Sequence, residues 1–429
     1  MKGLLEIVRS VPGSGPDFSV RPMVATTEDH SSPLFDGDDS GAMGNLQIRI
    51  FEQMRELEPA WRRLEADNLS SLHQSYDWCN AWARINRNPL ALVEGRIFGE
   101  TVFILPLEIV RSGMVRTAQF IGERFSNINT GLFSASFLEG PQNANASLTM
   151  EQVSRALEGR ADLLVLRNVP LRWRGRTSPL AALPAVENQN HAFQLSLGAD
   201  FNETIARLNA RKRLKRFRNQ VRKFEAAGGY EHVIATTKPE RHGLLDAFFA
   251  QKSARFRLRG LPNVFQAAET QAFFHLLLET DAPAPDFPLR IHALRLRGSF
   301  EGHIAAVAGL SRKGDHVICQ FSSIDETVLA EASPGELLFW LMIEQACAEG
   351  AALFDFGIGD QRYKRAWCTE ETVQHDLLLP LSRLGRLAAI AQKGLTRTKA
   401  AIKSKPQVYA LVQRLRAQTD RNSTTGDPH

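Results

Sequence analysis

The order of secondary-structure patterns recurs in the two halves of this 429-residue chain, and this recurrence limits the fold more than any single motif. In each half, helical patterns and a meander of alternating apolar strands are followed by a helix and a short apolar strand. Gln119-Phe120 and Gln320-Phe321 fall at matching places, as do Leu164 and Phe354. The repeat predicts two lobes of one plan. Chance similarity between two ordinary α/β halves is the alternative.

Composition and pattern divide the chain into four segments. The first segment is rich in Gly, Ser, Pro and Asp and has almost no apolar periodicity, which indicates a disordered leader. Within the second lobe, Glu203–Ala227 is predicted as one long helix, and Pro334–Ala348 as a helix before a strand at Ala352–Phe356. The predicted segments are a leader at 1–44, an N-terminal lobe at 45–198, a C-terminal lobe at 199–376 and a basic helical tail at 377–429.

Bulk composition excludes several classes of protein. The chain is 43% hydrophobic and 23% charged, as in ordinary globular proteins. Its apolar runs are far shorter than the about 20 residues that span a bilayer, and no apolar stretch follows Met1–Arg9 as in a signal peptide. The four cysteines form no CxxC pair, and the histidines have no metal-ligand spacing. We therefore expect no metal and a cytoplasmic location.

Two basic clusters account for the net charge of +5. Residues 207–223 and residues 377–419 each contain nine Lys or Arg and no acid. The first cluster is a solvated helix face or a binding face for an anionic group, and its lack of stacking aromatics disfavours nucleic acid. The tail cluster is typical of a basic amphipathic helix. Such a helix rests at the inner membrane face or on a partner protein, and a plain surface helix is the alternative.

The segment from His316 to Trp367 is the most informative for chemistry. It contains a strand, the sequence Ser333-Pro334-Gly335-Glu336, an apolar helix and a second strand. Ser333 suits the N-cap position, Pro334 the first helical position and Glu336 the carboxylate of a capping box. Unpaired amides at such a helix start can bind a pyrophosphate, and Gly335 allows its close approach. A well-capped helix with no ligand is the alternative, because the charge of Glu336 competes with an anion.

This order of elements resembles the acyl-CoA-binding core of the GNAT superfamily, and more closely the CelD/BcsL-like acyltransferase family, whose plan is similar to that of FemAB-type aminoacyltransferases. The resemblance implies an α/β (α+β) fold of tandem GNAT-like lobes, each a mixed, mostly antiparallel sheet flanked by helices. It covers roughly residues 46–370. The residues that carry it are Gln74-Ser75-Tyr76-Asp77-Trp78, Leu105-Pro106-Leu107, Arg211-Lys212-Arg213-Leu214-Lys215-Arg216-Phe217-Arg218, Ser333-Pro334-Gly335, Phe354-Asp355-Phe356-Gly357-Ile358-Gly359-Asp360 and Tyr363-Lys364.

The resemblance implies an N- or O-acyltransferase that uses acetyl-CoA or another acyl-CoA. The acceptor would be a small molecule, namely a sugar-linked or polysaccharide-precursor amine or hydroxyl. Tyr363 occupies the place of a general acid that protonates the leaving thiolate, although a packed Tyr is the alternative. The expected pyrophosphate contacts are the backbone amides of Ser333, Gly335, Glu336 and Leu337, assisted by Lys364 and Arg213. The candidate general bases are Asp325, Glu326 and Asp360, whereas Asp355, inside an apolar strand, is expected to be a buried structural carboxylate.

Two other functions stay open at the level of sequence. One is a FemAB-type aminoacyltransferase that uses charged tRNA, which the basic helix favours. The other is a non-catalytic adaptor of a membrane-bound polysaccharide synthesis complex that docks through the tail. The adaptor is considered because Ala330–Gly335 keeps only the last glycine of the usual GNAT phosphate loop, Arg/Gln-x-x-Gly-x-Gly/Ala.

Overall fold

The computed structural model of the protein describes residues 46–392. The strands are β1 (Gln47–Phe51), β2 (Leu90–Ile97), β3 (Glu100–Ser112), β4 (Val115–Phe120), β5 (Leu132–Phe133), β6 (Leu163–Val169), β7 (Arg172–Trp173), β8 (Arg176–Thr177), β9 (Ala185–Glu187), β10 (Ala192–Ser196), β11 (Tyr230–Ile234), β12 (Phe287–Leu296), β13 (Ile304–Lys313), β14 (His316–Ile324), β15 (Leu353–Ile358), β16 (Glu370–Thr372) and β17 (His375–Pro380). The helices are α1 (Glu58–Ala66), α2 (Tyr76–Asn86), α3 (Ala135–Glu139), α4 (Pro141–Ala144), α5 (Ala146–Leu157), α6 (Phe201–Ala206), α7 (Ala210–Ala226), α8 (Lys238–Arg259), α9 (Ala268–Leu278), α10 (Pro334–Ala348) and α11 (Arg362–Trp367).

The two main sheets share one strand order. The N-terminal sheet runs β1-β2-β3-β4-β6-β17-β9, with β5 also paired to β3, and the C-terminal sheet runs β11-β12-β13-β14-β15-β10-β16. In each sheet one neighbouring pair is parallel, namely β4 with β6 and β14 with β15, and the other pairs are antiparallel. A parallel pair needs a long crossover, which helices α5 and α10 supply. The predicted class, two mixed and mostly antiparallel sheets flanked by helices, is confirmed.

Each lobe completes its sheet with a strand from the other half of the chain. Strand β10, which lies at the end of the N-terminal lobe in sequence, pairs antiparallel with β15. Strand β17, which follows the C-terminal lobe, pairs antiparallel with β6. The lobes are therefore interlocked, because neither sheet keeps its full set of strands without the other lobe's chain. The division of the chain at residues 198 and 376 stays a prediction. Each sheet contains strands from both sides of that division.

A single hydrophobic cluster also joins the lobes. Trp78 and Trp82 on α2 pack against Phe273 on α9, with ring centroids 5.0 Å and 5.2 Å apart. Both tryptophans are buried, so they form part of the hydrophobic core. Because α2 and α9 belong to different lobes, this contact fixes the lobes against each other.

The helix predicted at Glu203–Ala227 is in fact two helices, α6 and α7. The helix is interrupted before Asn209. The side chain of Asn209 accepts a hydrogen bond (3.2 Å) from the Lys212 amide and so caps α7. Asn competes for backbone donors in this way, which favours a helix start over a helix interior. The helix predicted at Pro334–Ala348 is confirmed with the same bounds.

Both ends of the chain extend past the part that the structure describes. The predicted leader at 1–44 lies outside it. Of the predicted tail, Leu377–Pro380 belongs to strand β17, residues 383–392 are helical, and residues 393–429 lie outside the described part. Within residues 46–392, no helix is both long enough and apolar enough to cross a membrane.

Candidate functional site

Strands β14 and β15 separate after three paired positions and leave a gap in the C-terminal sheet. The parallel register joins His316 to Leu353, Val317 to Phe354 and Ile318 to Asp355. Beyond these positions β14 continues to Ile324 and β15 to Ile358 without pairing with each other. We call the space between these two separated strand ends the strand gap. A site for an extended ligand arm first needs space between strands, and the separation of β14 and β15 provides it.

A β-bulge lies on β14 at the mouth of the strand gap. In the pairing with β13, Gly309 faces Phe321 whereas Leu310 faces Cys319, so Gln320 is the extra residue. The bulge puts Cys319 and Phe321 on opposite faces of the sheet, in different hydrophobic clusters. Bulges are over-represented next to active sites because they redirect side chains and interrupt pairing.

Asp355 holds the closed end of the strand gap. Its carboxylate is fully buried and accepts hydrogen bonds from Gln194 Nε2 (2.8 Å) and from the Gly357 amide (2.6 Å), with His316 Nε2 at 3.3 Å. Burial alone would raise the pKa of Asp355, but these neighbours outweigh it and hold the pKa below its usual range. Asp355 is therefore buried and paired, as the sequence predicted. Because Gln194 lies on β10, the exchanged strand supports the site.

Tyr363 stands beside the strand gap on α11, the helix that follows β15. Its ring stacks on Phe339 of α10 at a centroid distance of 5.3 Å and meets the edge of Phe356 at 6.2 Å. The side chain is 37% exposed. Burial, together with the nearby Cys319, raises the pKa of the phenol well above its ordinary value. The hydroxyl therefore stays protonated and can donate a hydrogen bond to a developing thiolate; its catalytic role remains a prediction.

Lys364, next along α11, points into the protein. Its side chain is buried, and Nζ donates to the carbonyl oxygens of Gly357 (3.1 Å) and Ile358 (2.7 Å). Burial lowers the pKa of Lys364 to about 8, against the opposing effect of Asp355. The Lys364 amine thus links two carbonyl groups at the end of β15. At most one of its three N–H donors is left for the pyrophosphate that the sequence analysis expected it to bind.

The start of α10 differs from the predicted capping box. Ser333 is the N-cap, but it lies in the left-handed region (φ 59°) and its side chain makes no capping bond. The Glu336 carboxylate pairs instead with Arg216. The amides of Glu336 and Leu337 both donate to the Ser333 carbonyl oxygen, at 3.1 Å and 3.3 Å. Among residues 46–392, the Gly335 amide is the one in this turn with no hydrogen-bond acceptor, so the four predicted amides are reduced to one.

Gly335 also fits closely against the end of β14. A Cβ atom at this position would lie 2.9 Å from Cγ2 of Ile324. The glycine therefore lets the helix start approach the end of β14, whereas the close approach of a pyrophosphate to Gly335 stays a prediction.

Three cations of helix α7 bind it to neighbouring elements, two at the start of α10 and one on α11. Arg216 pairs with Glu336, Lys223 Nζ donates to the Glu331 carbonyl oxygen (2.8 Å), and Arg213 donates to the Ala366 carbonyl oxygen. The Arg213 guanidinium also lies 3.9 Å from the ring centroid of Trp367. Burial lowers the pKa of Arg213. Arg213, predicted as an anion ligand, is thus engaged in packing. The exposed cations Arg211, Lys215, Arg218 and Arg222 lie on one face of α7, and the structure gives them no ion pair within the described residues.

The three acidic residues predicted as bases are all paired. Asp325 accepts from the Thr327 amide (2.7 Å) and lies 3.1 Å from His303 Nε2. Burial alone would raise the pKa of Asp325, but the Thr327 hydrogen bonds and His303 lower it. Glu326 pairs with Arg255 (3.3 Å) and Arg259 (3.1 Å), and Asp360 forms a two-bond pair with Arg365. Their use as general bases stays a prediction.

Lys252 on α8 is a candidate site residue that the sequence prediction missed. Its Nζ lies over the rings of Phe248 (5.9 Å) and Phe256 (5.6 Å), and within residues 46–392 it makes no hydrogen bond or ion pair. Burial, aided by nearby cations, lowers its pKa to about 8. The spacing 248, 252, 256 was the available signal, because it puts a lysine inside an apolar helical stripe.

The comparisons with known proteins match this half of the chain. Residues 211–365 match the sequence model of the acetyltransferase (GNAT) domain family, a range that contains the strand gap and Tyr363. Residues 211–365 are thus similar in sequence to a GNAT acetyltransferase domain. The prediction of an acyltransferase is thereby confirmed, and the domain implies an acyl-CoA as co-substrate. No curated protein sequence matches the chain.

Solved structures resemble the fold of the whole described region at low sequence identity. FemX aligns with a TM-score of 0.54 and 11% identity over 78% of this chain and 97% of its own. The C-terminal domain (DUF2156) of a protein described as a lysylphosphatidylglycerol synthetase from Agrobacterium fabrum aligns with a TM-score of 0.50 and 12% identity, covering 80% and 98% of the two chains. These similarities establish the fold only.

Proposed function

We propose that the protein transfers an acyl group from acetyl-CoA or a similar acyl-CoA to an amine or hydroxyl of a sugar-linked or polysaccharide-precursor acceptor. The observation that carries the proposal is the strand gap, because the pantetheine arm of CoA needs an extended slot beside free backbone groups. The bulge at Gln320 opens β14 at this place, and Tyr363 stands at its edge. The acceptor class rests on the resemblance to CelD/BcsL-like proteins.

The proposed reaction needs one proton donor and one proton acceptor. The nitrogen or oxygen of the acyl acceptor attacks the thioester carbonyl carbon, and the C–S bond breaks. The nucleophile loses one proton and the departing thiolate gains one, so the protons balance. Tyr363 is proposed to donate to the thiolate sulfur. Since the three predicted acids are engaged in ion pairs or hydrogen bonds, we do not assign the acceptor of the nucleophile's proton to any of them.

The pyrophosphate is proposed to bind at the start of α10 through the Gly335 amide. The amides of Glu336 and Leu337 already donate to the Ser333 carbonyl oxygen. Fewer free amides are therefore left for the pyrophosphate than in a full GNAT phosphate loop. Cofactor affinity should therefore depend strongly on Gly335.

Gly335→Leu tests this proposal in a calorimetric titration with acetyl-CoA. The added side chain meets Ile324 and fills the approach to the amide, so we expect acetyl-CoA affinity to fall at least tenfold, a loss of about 1.4 kcal/mol. Gly243→Leu is the matched control, because it makes the same change on α8 where no atom lies within 4 Å of the new Cβ. Wild-type protein that folds but does not bind acetyl-CoA or CoA would contradict the proposal and favour the adaptor.

A second candidate is an aminoacyltransferase that takes its acyl group from charged tRNA. The observation that favours it is the exposed face of α7, where Arg211, Lys215, Arg218 and Arg222 present four cations with no partner among the described residues. A parallel titration with bulk tRNA separates the two candidates. Salt-sensitive tRNA binding that Arg218→Gln weakens, with no binding of acetyl-CoA, would favour the second.

A further inference from the structure

Helix α8, which carries Lys252, packs against β14 beside the strand gap. Phe248, one turn earlier on α8, stacks on Phe321 of β14 at 4.0 Å, and the neighbouring Gln251 accepts a hydrogen bond from Ser323 Oγ (2.7 Å). The amine of Lys252 lies 5.9 Å from the ring centroid of this same Phe248. Lys252 is therefore held on the helix that packs against the β14 edge of the strand gap.

The surroundings of Lys252 carry more positive charge than negative. Arg255, Arg259 and Lys364 are the other cations near its amine. The acids beside these cations are Glu326, which Arg255 and Arg259 share, and Asp355, whose charge acts on Lys364. A partly buried ammonium that lies among other cations and has no acid partner within the described residues is stabilised when an anion binds beside it. The charged groups around Lys252 thus carry an excess of positive charge.

The face on which Lys252 lies separates it from the proposed cofactor contacts. Phe248 and Phe321 belong to the cluster that α8 and α9 form on one face of the sheet. Phe339 and Phe356, which contact Tyr363, belong to the cluster around α10 on the opposite face. An acyl-CoA that follows α10 and reaches into the strand gap would meet Lys252 only at its reactive end, which is where the acceptor must bind.

We propose that the acceptor carries an anionic group, a carboxylate or a phosphate, and that Lys252 binds it with help from Arg255. This inference rests on the proposed acyl-transfer function and adds the charge of the substrate to it. Hydrogen bonds between charged partners correspond to about 10- to 100-fold in binding. The acceptor's anionic group should therefore account for a preference of about that size.

The first test measures the Lys252 amine directly and needs no turnover. Lysines of the full chain are reductively methylated with ¹³C, and the Lys252 signal is assigned by its loss in Lys252→Met. Titration with inorganic phosphate and, separately, with acetate should raise the pKa of Lys252 by about 1 unit, as an opposite charge does. A response to phosphate alone assigns a phosphate and a response to acetate alone a carboxylate. The exposed Lys238, which pairs with Glu279 away from the basic face of α7, serves as an internal control.

Two outcomes of this titration would overturn the inference. One is a Lys252 signal that neither anion moves. The other is a signal that acetyl-CoA moves as strongly as the anions do while displacing them, because Lys252 would then belong to the cofactor site. Neither outcome depends on whether the protein transfers an acyl group.

The second test compares matched acceptors in an assay of thiol release from acetyl-CoA. Glucosamine 6-phosphate should be used at least 10-fold better in kcat/KM than glucosamine, or an amino acid better than its amide. Lys252→Met should abolish the preference at unchanged acetyl-CoA affinity, and Lys252→Arg should retain part of it. Acetyl-CoA binding with no charge preference would contradict the inference alone, whereas failure to bind acetyl-CoA would contradict the proposed function.

Discussion

Replacing Tyr363 with Phe removes only the hydroxyl group that donates a proton in the proposed mechanism. The stacking of the ring on Phe339 does not involve the hydroxyl, and within residues 46–392 the hydroxyl makes no hydrogen bond. Its removal leaves no buried partner unsatisfied, so the free energy of unfolding should change by about 0.5 kcal/mol or less. Cofactor affinity should stay near normal for the same reason.

The expected loss lies in the chemical step. A positioned general acid contributes about 10²- to 10⁴-fold, which corresponds to about 3–5 kcal/mol in activation free energy. Because the pKa of Tyr363 lies above its ordinary value, the phenol stays protonated through pH 7–9. The ratio of wild-type to Tyr363→Phe turnover should therefore stay constant over that range.

The assay is thiol release from acetyl-CoA in the presence of an amino-sugar acceptor, with calorimetry for cofactor affinity. Tyr230→Phe is the control, because it removes a phenol hydroxyl from β11 in the same lobe. Turnover that Tyr363→Phe leaves unchanged would remove Tyr363 from the mechanism. A fall in acetyl-CoA affinity equal to the fall in kcat/KM would show that the residue binds the cofactor and does not act as an acid.

Two further predictions concern the interlocked lobes and the closed end of the strand gap. Phe273→Ala, which empties a fully buried site between Trp78 and Trp82, should lower the free energy of unfolding by about 3–5 kcal/mol in a single denaturant transition; two separate transitions would contradict the shared core. Asp355→Asn should cost most stability near pH 7 and progressively less below about pH 4. The folded-state pKa of Asp355 lies below the unfolded value of about 3.9, so its charge stabilises the protein above that pH and loses its effect as the pH falls through the folded pKa. A pH-independent cost in thermal or chemical unfolding would refute this.

Much of the site follows from local sequence signals. Pro334 after a small polar residue set the start of α10, and the observed helix has the predicted bounds. The alternation of apolar residues gave the meander, and the position of Tyr363 just after a strand placed it beside the strand gap. The capping chemistry of Ser333 and Glu336 was wrong, because Ser333 adopts a left-handed conformation and Arg216, far away in sequence, takes the Glu336 carboxylate.

By itself the sequence determined the element order, the repeat of one plan in two halves and the helix start near the strand gap, since each depends on periodicity or on contacts within a few residues. Only the tertiary structure decided that β10 and β17 exchange between the sheets, that the helix carrying Lys252 packs against β14, and that Asp355 stays ionised while buried. These features depend on partners that lie far apart in the chain, such as Gln194 and Asp355 or β6 and β17. Short-range patterns carry no information about which distant groups will meet, so burial and pairing had to be read from the fold.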